Sequence, residues 1–143
     1  MTPVDPITTQ PERRLSVSRV RVRYAETDKM GVVYYAHYFV WFEIGRTEWL
    51  RETGWTYREM EAEGLGLPVI EAHCDYRSGA RYDDALEVRT TARLVTAVRL
   101  AFDYEIVQEG DLRVIATGHT IHATVDSSGR PVRLPARVRD LFS

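Results

Sequence analysis

From Arg19 to Tyr24 the chain alternates strictly, with Val20, Val22 and Tyr24 on one side and Arg19, Arg21 and Arg23 on the other. That period of two predicts a half-buried strand. Ala25 to Ala36 has no sustained period and carries Gly31, so it reads as a loop too long for a tight hairpin. From His37 to Thr53 the apolar positions change to helical spacing: Tyr38, Trp41, Phe42, Gly45 and Trp49 share one face. Gly45 in that stripe costs about 1 kcal/mol relative to Ala, which implies close approach of the helix to a sheet. Gly54 ends the helix as a left-handed cap. Thr56 and Glu59 have capping-box spacing for a short second helix running to about Glu63.

After the turn residues Gly64, Gly66 and Pro68, strand patterns dominate. Val69–Tyr76 is the second strand. Asp83-Asp84 precedes a third, with Leu86, Val88, Thr90, Ala92 and Leu94 on one face. Thr96-Ala97 turns into a fourth, carrying Val98, Leu100, Phe102, Tyr104 and Ile106 on one face. Glu109-Gly110-Asp111 leads to a fifth over Val114–Val125, closed by Asp126-Ser127-Ser128-Gly129. Leu134–Phe142 is a short terminal helix. Read as three successive hairpins, the last four strands define an antiparallel α+β sheet of five strands with one long helix. One helix covers one face only, and the fifth strand is apolar or small on both sides. A homo-oligomer, dimer or tetramer, is expected to cover the rest.

Composition adds bounds to this picture. The 143 residues suit one domain, with residues 1–14, which hold three prolines, as a flexible tail and 15–143 as the folded unit. A formal charge of -2 gives no general attraction to nucleic acid. No apolar run approaches the roughly 20 residues needed to span a bilayer, so no membrane insertion is expected. The start lacks the apolar core of a signal peptide. One cysteine, Cys74, excludes an internal disulfide and fits a reducing compartment, so a cytoplasmic location is expected. Metal is not expected either. His119 and His122, three apart on a strand, face opposite ways, as do the adjacent His73 and Cys74, and no ligand set converges.

The chemistry concentrates in Tyr24-Ala25-Glu26-Thr27-Asp28-Lys29-Met30-Gly31-Val32-Val33-Tyr34-Tyr35-Ala36-His37-Tyr38, which runs straight into the long helix. The first N–H groups of a helix lack intrahelical partners and sit at the positive end of its dipole. Such a terminus suits a developing oxyanion, and Asp28 stands a few residues upstream where a carboxylate reaches the same carbonyl carbon. Thr-Asp-x-x-Gly is also ordinary turn chemistry, with Asp accepting from backbone N–H groups. The run Tyr34, Tyr35, Tyr38, Phe39, Trp41 equally suits a plain core. Both interpretations stand on spacing alone. His37 either orients Asp28 or contacts substrate, or simply starts the helix. Arg77 and Arg81 are candidates for an anionic ligand or for a solvated surface, and Glu43 and Glu48 read as surface or structural groups.

Tyr24, Asp28, Gly31, Val32, Val33, Tyr34 and Tyr38 together resemble the signature of the 4-hydroxybenzoyl-CoA thioesterase family, including its subgroup associated with the bacterial Tol-Pal system. The likeness continues through Phe42-Glu43, Arg46-Thr47-Glu48-Trp49-Leu50-Arg51, Tyr76-Arg77 and Tyr82-Asp83-Asp84, over roughly residues 17–125. The resemblance implies a hotdog fold, a five-stranded antiparallel sheet wrapped around a central helix. It implies acyl-CoA thioester hydrolysis without a cofactor, and a tetramer of two dimers with sites at the dimer interface. By the same resemblance Asp28 is the catalytic carboxylate, acting as nucleophile or general base, and the Tyr35 backbone N–H polarises the carbonyl. Tyr24, Gly31, Val33, Tyr34 and His37 are expected to line the substrate site. The chain departs from the Tol-Pal-associated pattern at Tyr35, where that subgroup commonly has His, and at His37, where relatives carry Asn or Ser. It departs again at Ser78-Gly79-Ala80, where relatives often have proline before the Ala. A short or medium acyl chain or an aromatic acyl group is expected. The alternatives are a hotdog hydratase or dehydratase pairing Asp28 with His37, and a non-catalytic acyl-CoA or acyl-carrier binding module.

Overall fold

The computed structural model describes residues 14–143. Most of the tail expected over residues 1–14 thus lies outside the described residues; the Arg14 carbonyl accepts the Trp49 indole N–H at 3.0 Å. The elements run β1 (Ser16–Arg21), α1 (His37–Thr53), α2 (Tyr57–Ala62), β2 (Val69–Tyr76), β3 (Ala85–Thr96), β4 (Arg99–Gln108), β5 (Val114–Ala123) and α3 (Ala136–Phe142). The five strands form one antiparallel sheet in the order β1-β3-β4-β5-β2.

That order corrects the three-hairpin expectation. β3·β4 and β4·β5 are hairpins, but β2 pairs with β5 at the far edge. Residues 77–84 then carry the chain back across the sheet to β3. Asp83-Asp84 therefore ends a crossover, with the Asp83 N–H on the Val22 carbonyl at 2.9 Å and Asp83 itself at φ 70°. Three smaller differences have local causes. β1 begins and ends earlier than the alternation indicates, because Tyr24 belongs to a 3₁₀ turn, Tyr24–Glu26, and is 77% exposed. The β3–β4 turn falls at Ala97-Val98, so Val98 is outside β4. β5 stops at Ala123, since Val125 instead bridges Gly66 and Pro131.

The helix occupies the residues its periodicity predicts. Tyr38, Trp41, Phe42, Gly45, Trp49 and Leu50 are buried, and Gly54 caps the end at φ 86°. Each large apolar side chain removed from water here contributes about 2 kcal/mol. Phe42 stacks on Tyr104 at 4.2 Å, and Trp49 meets Phe102 and Phe142. Gly45 lets the helix backbone approach β3: a Cβ there would collide with Thr90 Oγ1 and lie 2.9 Å from Val88 Cγ1. The helix packs over β1, β3 and β4, which leaves β2 outside its shelter and exposed along nearly its whole length. Among the described residues no helix is long and apolar enough to cross a membrane.

Candidate active site

The loop from β1 to α1 is held by a small set of backbone bonds. Glu26 is buried; its Oε1 accepts the Arg23 N–H at 2.7 Å, and its carbonyl accepts the Tyr34 N–H at 2.8 Å. Inside that frame the Asp28 N–H donates to the Val32 carbonyl at 2.8 Å, and Gly31, at φ 83°, donates to the Asp28 carbonyl at 3.0 Å. The Val33 N–H bonds to the Ala80 carbonyl, so the 77–84 crossover fastens the far side of the loop. Glu26 carried no signal of its own in the sequence beyond its three-residue spacing from Arg23.

Asp28 Oδ1 accepts the Met30 N–H at 2.7 Å, an Asx turn. Oδ2 has no partner among the described residues. The turn role and a chemical role are therefore compatible, because one oxygen holds the loop while the other is unengaged. Asp28 lines an open cavity of about 520 Å³ with Tyr24, Ala25, Thr27, Lys29, Tyr34 and His37. The Tyr34 ring lies edge-on to His37 at 6.0 Å and 4.7 Å from the Tyr35 ring. The neighbouring Tyr35 phenol raises the Tyr34 phenol above its ordinary value.

Helix α1 starts without a side-chain cap, from Ala36, and has no acid in its first turn. Its first bonds reach back three residues: His37 N–H to the Tyr34 carbonyl, Tyr38 to Tyr35, and Phe39 to Ala36. The Tyr35 and Ala36 N–H groups have no acceptor among the described residues. A Glu or Gln in the third helical position could reach back to the Ala36 N–H, but Phe39 stands there. Tyr34 and His37, on either side of these two donors in the chain, line the Asp28 cavity.

The other expected site residues are distributed as follows. Val33 and Tyr35 line a smaller cavity of about 210 Å³ with Val32, Tyr38, Tyr76 and Arg77. Val33 itself is buried. Gly31 lines neither cavity; a Cβ on it would lie 3.3 Å from Arg81 Nη1, which donates to the Gly31 carbonyl at 3.4 Å. Glu48 pairs with Arg51 at 2.5 Å. Glu43 lines an apolar groove of about 290 Å³ between α1 and β2. His122 is buried, with Nδ1 on the Leu67 carbonyl at 2.9 Å and Nε2 on Thr120 Oγ1 at 2.8 Å. His119 stands across the ladder from His73, its ring stacked at 5.6 Å, with Nε2 on Glu71 at 2.7 Å. That pairing is invisible in the sequence because β2 and β5 lie so far apart along the chain. Among the described residues no three His, Cys, Asp or Glu side chains gather as a metal ion would require.

One long helix seated against a five-stranded antiparallel sheet, with a carboxylate loop at its N-terminus, is the hotdog class of thioesterase folds. The chain belongs to the Thioesterase-like superfamily, whose family model matches residues 22–142. It is 35% identical over 121 residues to a putative acyl-CoA thioesterase, YneP, of Bacillus subtilis, covering 83% of this chain and 86% of that one. Among solved structures it resembles a DHNA-CoA thioesterase from Staphylococcus aureus, with TM-score 0.78 and 32% identity over 84% of this chain and 80% of that one. A 4-hydroxybenzoyl CoA thioesterase mutant complexed with 4-hydroxybenzoyl CoA shares the fold, with TM-score 0.82 at 19% identity, covering 91% of this chain and 99% of that one.

Proposed function

We propose that this protein hydrolyses a short- or medium-chain or aromatic acyl-CoA to the free acid and CoA. The observation that carries the proposal is the unengaged Asp28 Oδ2 in a cavity beside an uncapped helix terminus with two open N–H donors. The named activities of the relatives support it.

The thioester carbonyl oxygen lies against the Tyr35 N–H, which polarises it and stabilises the oxyanion as the carbon becomes tetrahedral. Asp28 acts in one of two ways. As nucleophile, its carboxylate forms an acyl anhydride and expels CoA thiolate, and water then cleaves the anhydride. As general base, it takes a proton from water, whose oxygen attacks the carbonyl carbon directly. Thiolate is a good leaving group, so no strong general acid and no cofactor are needed. Tyr24, Tyr34 and His37 flank the acyl end of the ester, with Gly31 and Val33 shaping the loop.

The working unit is a homodimer, or a tetramer of two dimers. In support, Val40 and Ile44 on α1 and Val69, Ile70 and Tyr76 on β2 are exposed apolar groups along an unpaired sheet edge. An acyl-CoA substrate and a single free cysteine fit a cytoplasmic location.

The test is thiol release from aromatic, short, medium and long acyl-CoAs, with enoyl-CoA hydration and equilibrium binding measured beside it. Release abolished by Asp28→Asn supports the proposal. Hydration without release would assign the site to a hydratase using Asp28 and His37. Binding without turnover would make the chain a binding module.

A further inference from the structure

The N-terminus of α1 poses a physical problem. The helix starts without a side-chain cap, which costs about 1 kcal/mol and permits fraying, while its Tyr35 and Ala36 N–H groups stand free for a ligand. A donor that frays does not hold an oxyanion in place. The terminus needs an anchor that engages its carbonyl side and leaves its N–H side open.

Tyr76, the last residue of edge strand β2, meets that requirement. Its hydroxyl donates to the Tyr35 carbonyl oxygen at 3.0 Å, across 41 residues of sequence. The Tyr35 carbonyl and the Ala36 N–H belong to one planar trans peptide unit, so they point in opposite directions. Fixing the oxygen on the β2 side therefore fixes the Ala36 N–H on the other side, and restricts the Tyr35 N–H one residue before it. Two ring contacts hold the phenol in place: the Tyr76 ring is edge-on to Tyr38 at 5.1 Å and to Tyr35 at 6.5 Å. Tyr38 is buried on the core face of α1, so the anchor is tied to the hydrophobic core. Partial burial and the neighbouring Cys74 thiol push the Tyr76 phenol up to about 12, so it keeps the proton it donates.

We propose that Tyr76 is a positioning residue for the hydrolysis: by holding the Tyr35 carbonyl it fixes the Ala36 N–H and steadies the Tyr35 N–H that meets the thioester carbonyl. This rests on the thioesterase proposal above. Tyr76 touches no reacting atom; it acts through the peptide it holds.

Wild type, Tyr76→Phe and Asp28→Asn are compared in steady-state thiol release from hexanoyl-CoA and benzoyl-CoA, with thermal melting of each. Tyr76→Phe keeps both ring contacts and removes the anchor. It is expected to lower kcat about tenfold, less than outright loss of an oxyanion donor, with KM within about twofold. An unchanged kcat, or a loss no larger than the loss of folded protein, overturns the role. A near-isosteric second variant replaces Tyr76 by 3,5-difluorotyrosine, whose phenol ionises at lower pH. It is expected to add an alkaline fall in kcat that wild type lacks, and the absence of that fall also overturns the role. If wild type hydrolyses both esters and Asp28→Asn does not, an active Tyr76→Phe removes Tyr76 alone. If wild type releases no thiol, both proposals fail together.

Discussion

Asp28 holds the Met30 N–H at 2.7 Å through Oδ1 and leaves Oδ2 without a partner among the described residues. One oxygen thus fixes the loop, and the other is free for the chemistry proposed above. Asparagine retains the oxygen that accepts from Met30 but is neither nucleophile nor base. Asp28→Asn is expected to lower kcat by at least about a hundredfold while the melting temperature moves by no more than about 2 °C. Alanine, which also loses the turn bond, is expected to cost about 1 kcal/mol of stability as well. Turnover near wild type in the asparagine variant would remove Asp28 from the mechanism.

Gly45 is where the helix comes closest to the sheet. Alanine ordinarily favours a helix by about 1 kcal/mol over glycine. Here its methyl would meet Thr90 Oγ1 and Val88 Cγ1, both on stiff β-branched side chains of a central strand. Overpacking wins. Gly45→Ala is expected to destabilise the fold by about 2 kcal/mol, read as a lower urea midpoint at unchanged m-value.

His122 supplies a pH dependence. It is wholly buried, and desolvation lowers its pKa from 6.5 to about 4, against the raising effect of the Leu67 carbonyl. The folded state keeps the ring neutral while the unfolded chain binds a proton below about pH 6.5. Stability from this group is complete above that pH and is lost as pH falls toward 4, by about 3 kcal/mol in all. Urea unfolding of wild type and His122→Gln at pH 7 and pH 4.5 checks it. The slope with pH should be smaller in the variant, and equal slopes would exclude His122 as its source.

The exposed edge of β2 carries the prediction about assembly. Ile70 lies at a register shift in the β2·β5 ladder and is 48% exposed. Lysine on such an edge opposes strand addition. Ile70→Lys is expected to shift the protein toward monomer by sedimentation velocity, with turnover falling in parallel. A wild type that is monomeric at micromolar concentration would contradict the proposed dimer.

Much of this molecule is written locally. The span of α1 follows from the period of Tyr38, Trp41, Phe42, Gly45 and Trp49, and its end from Gly54. The range of β2 and the inward faces of β3 and β4 follow from alternation and flanking turns. These features depend on neighbours within one or two turns of chain, where sterics and backbone bonding act directly. Even there Tyr24 misleads, because its alternation continues after the backbone has left the strand for a 3₁₀ turn. The catalytic role proposed for Asp28 came from the resemblance of its surroundings, since its spacing fits an ordinary turn equally well.

Tertiary structure decided what joins distant parts of the chain. Nothing in Val69–Tyr76 says that its partner is β5 rather than β3, because a strand's hydrogen bonds are the same with either neighbour. The choice follows from how α1 covers β1, β3 and β4 and how the 77–84 crossover fastens the Asp28 loop at Val33. From that one pairing come the His73–His119 stack, the exposed edge, and the reach of Tyr76 to the Tyr35 carbonyl. The sequence by itself determined the elements and put a carboxylate ahead of a helix. Only the packed sheet determined which groups hold that helix terminus open, because contacts between residues far apart in sequence exist only once the chain has folded.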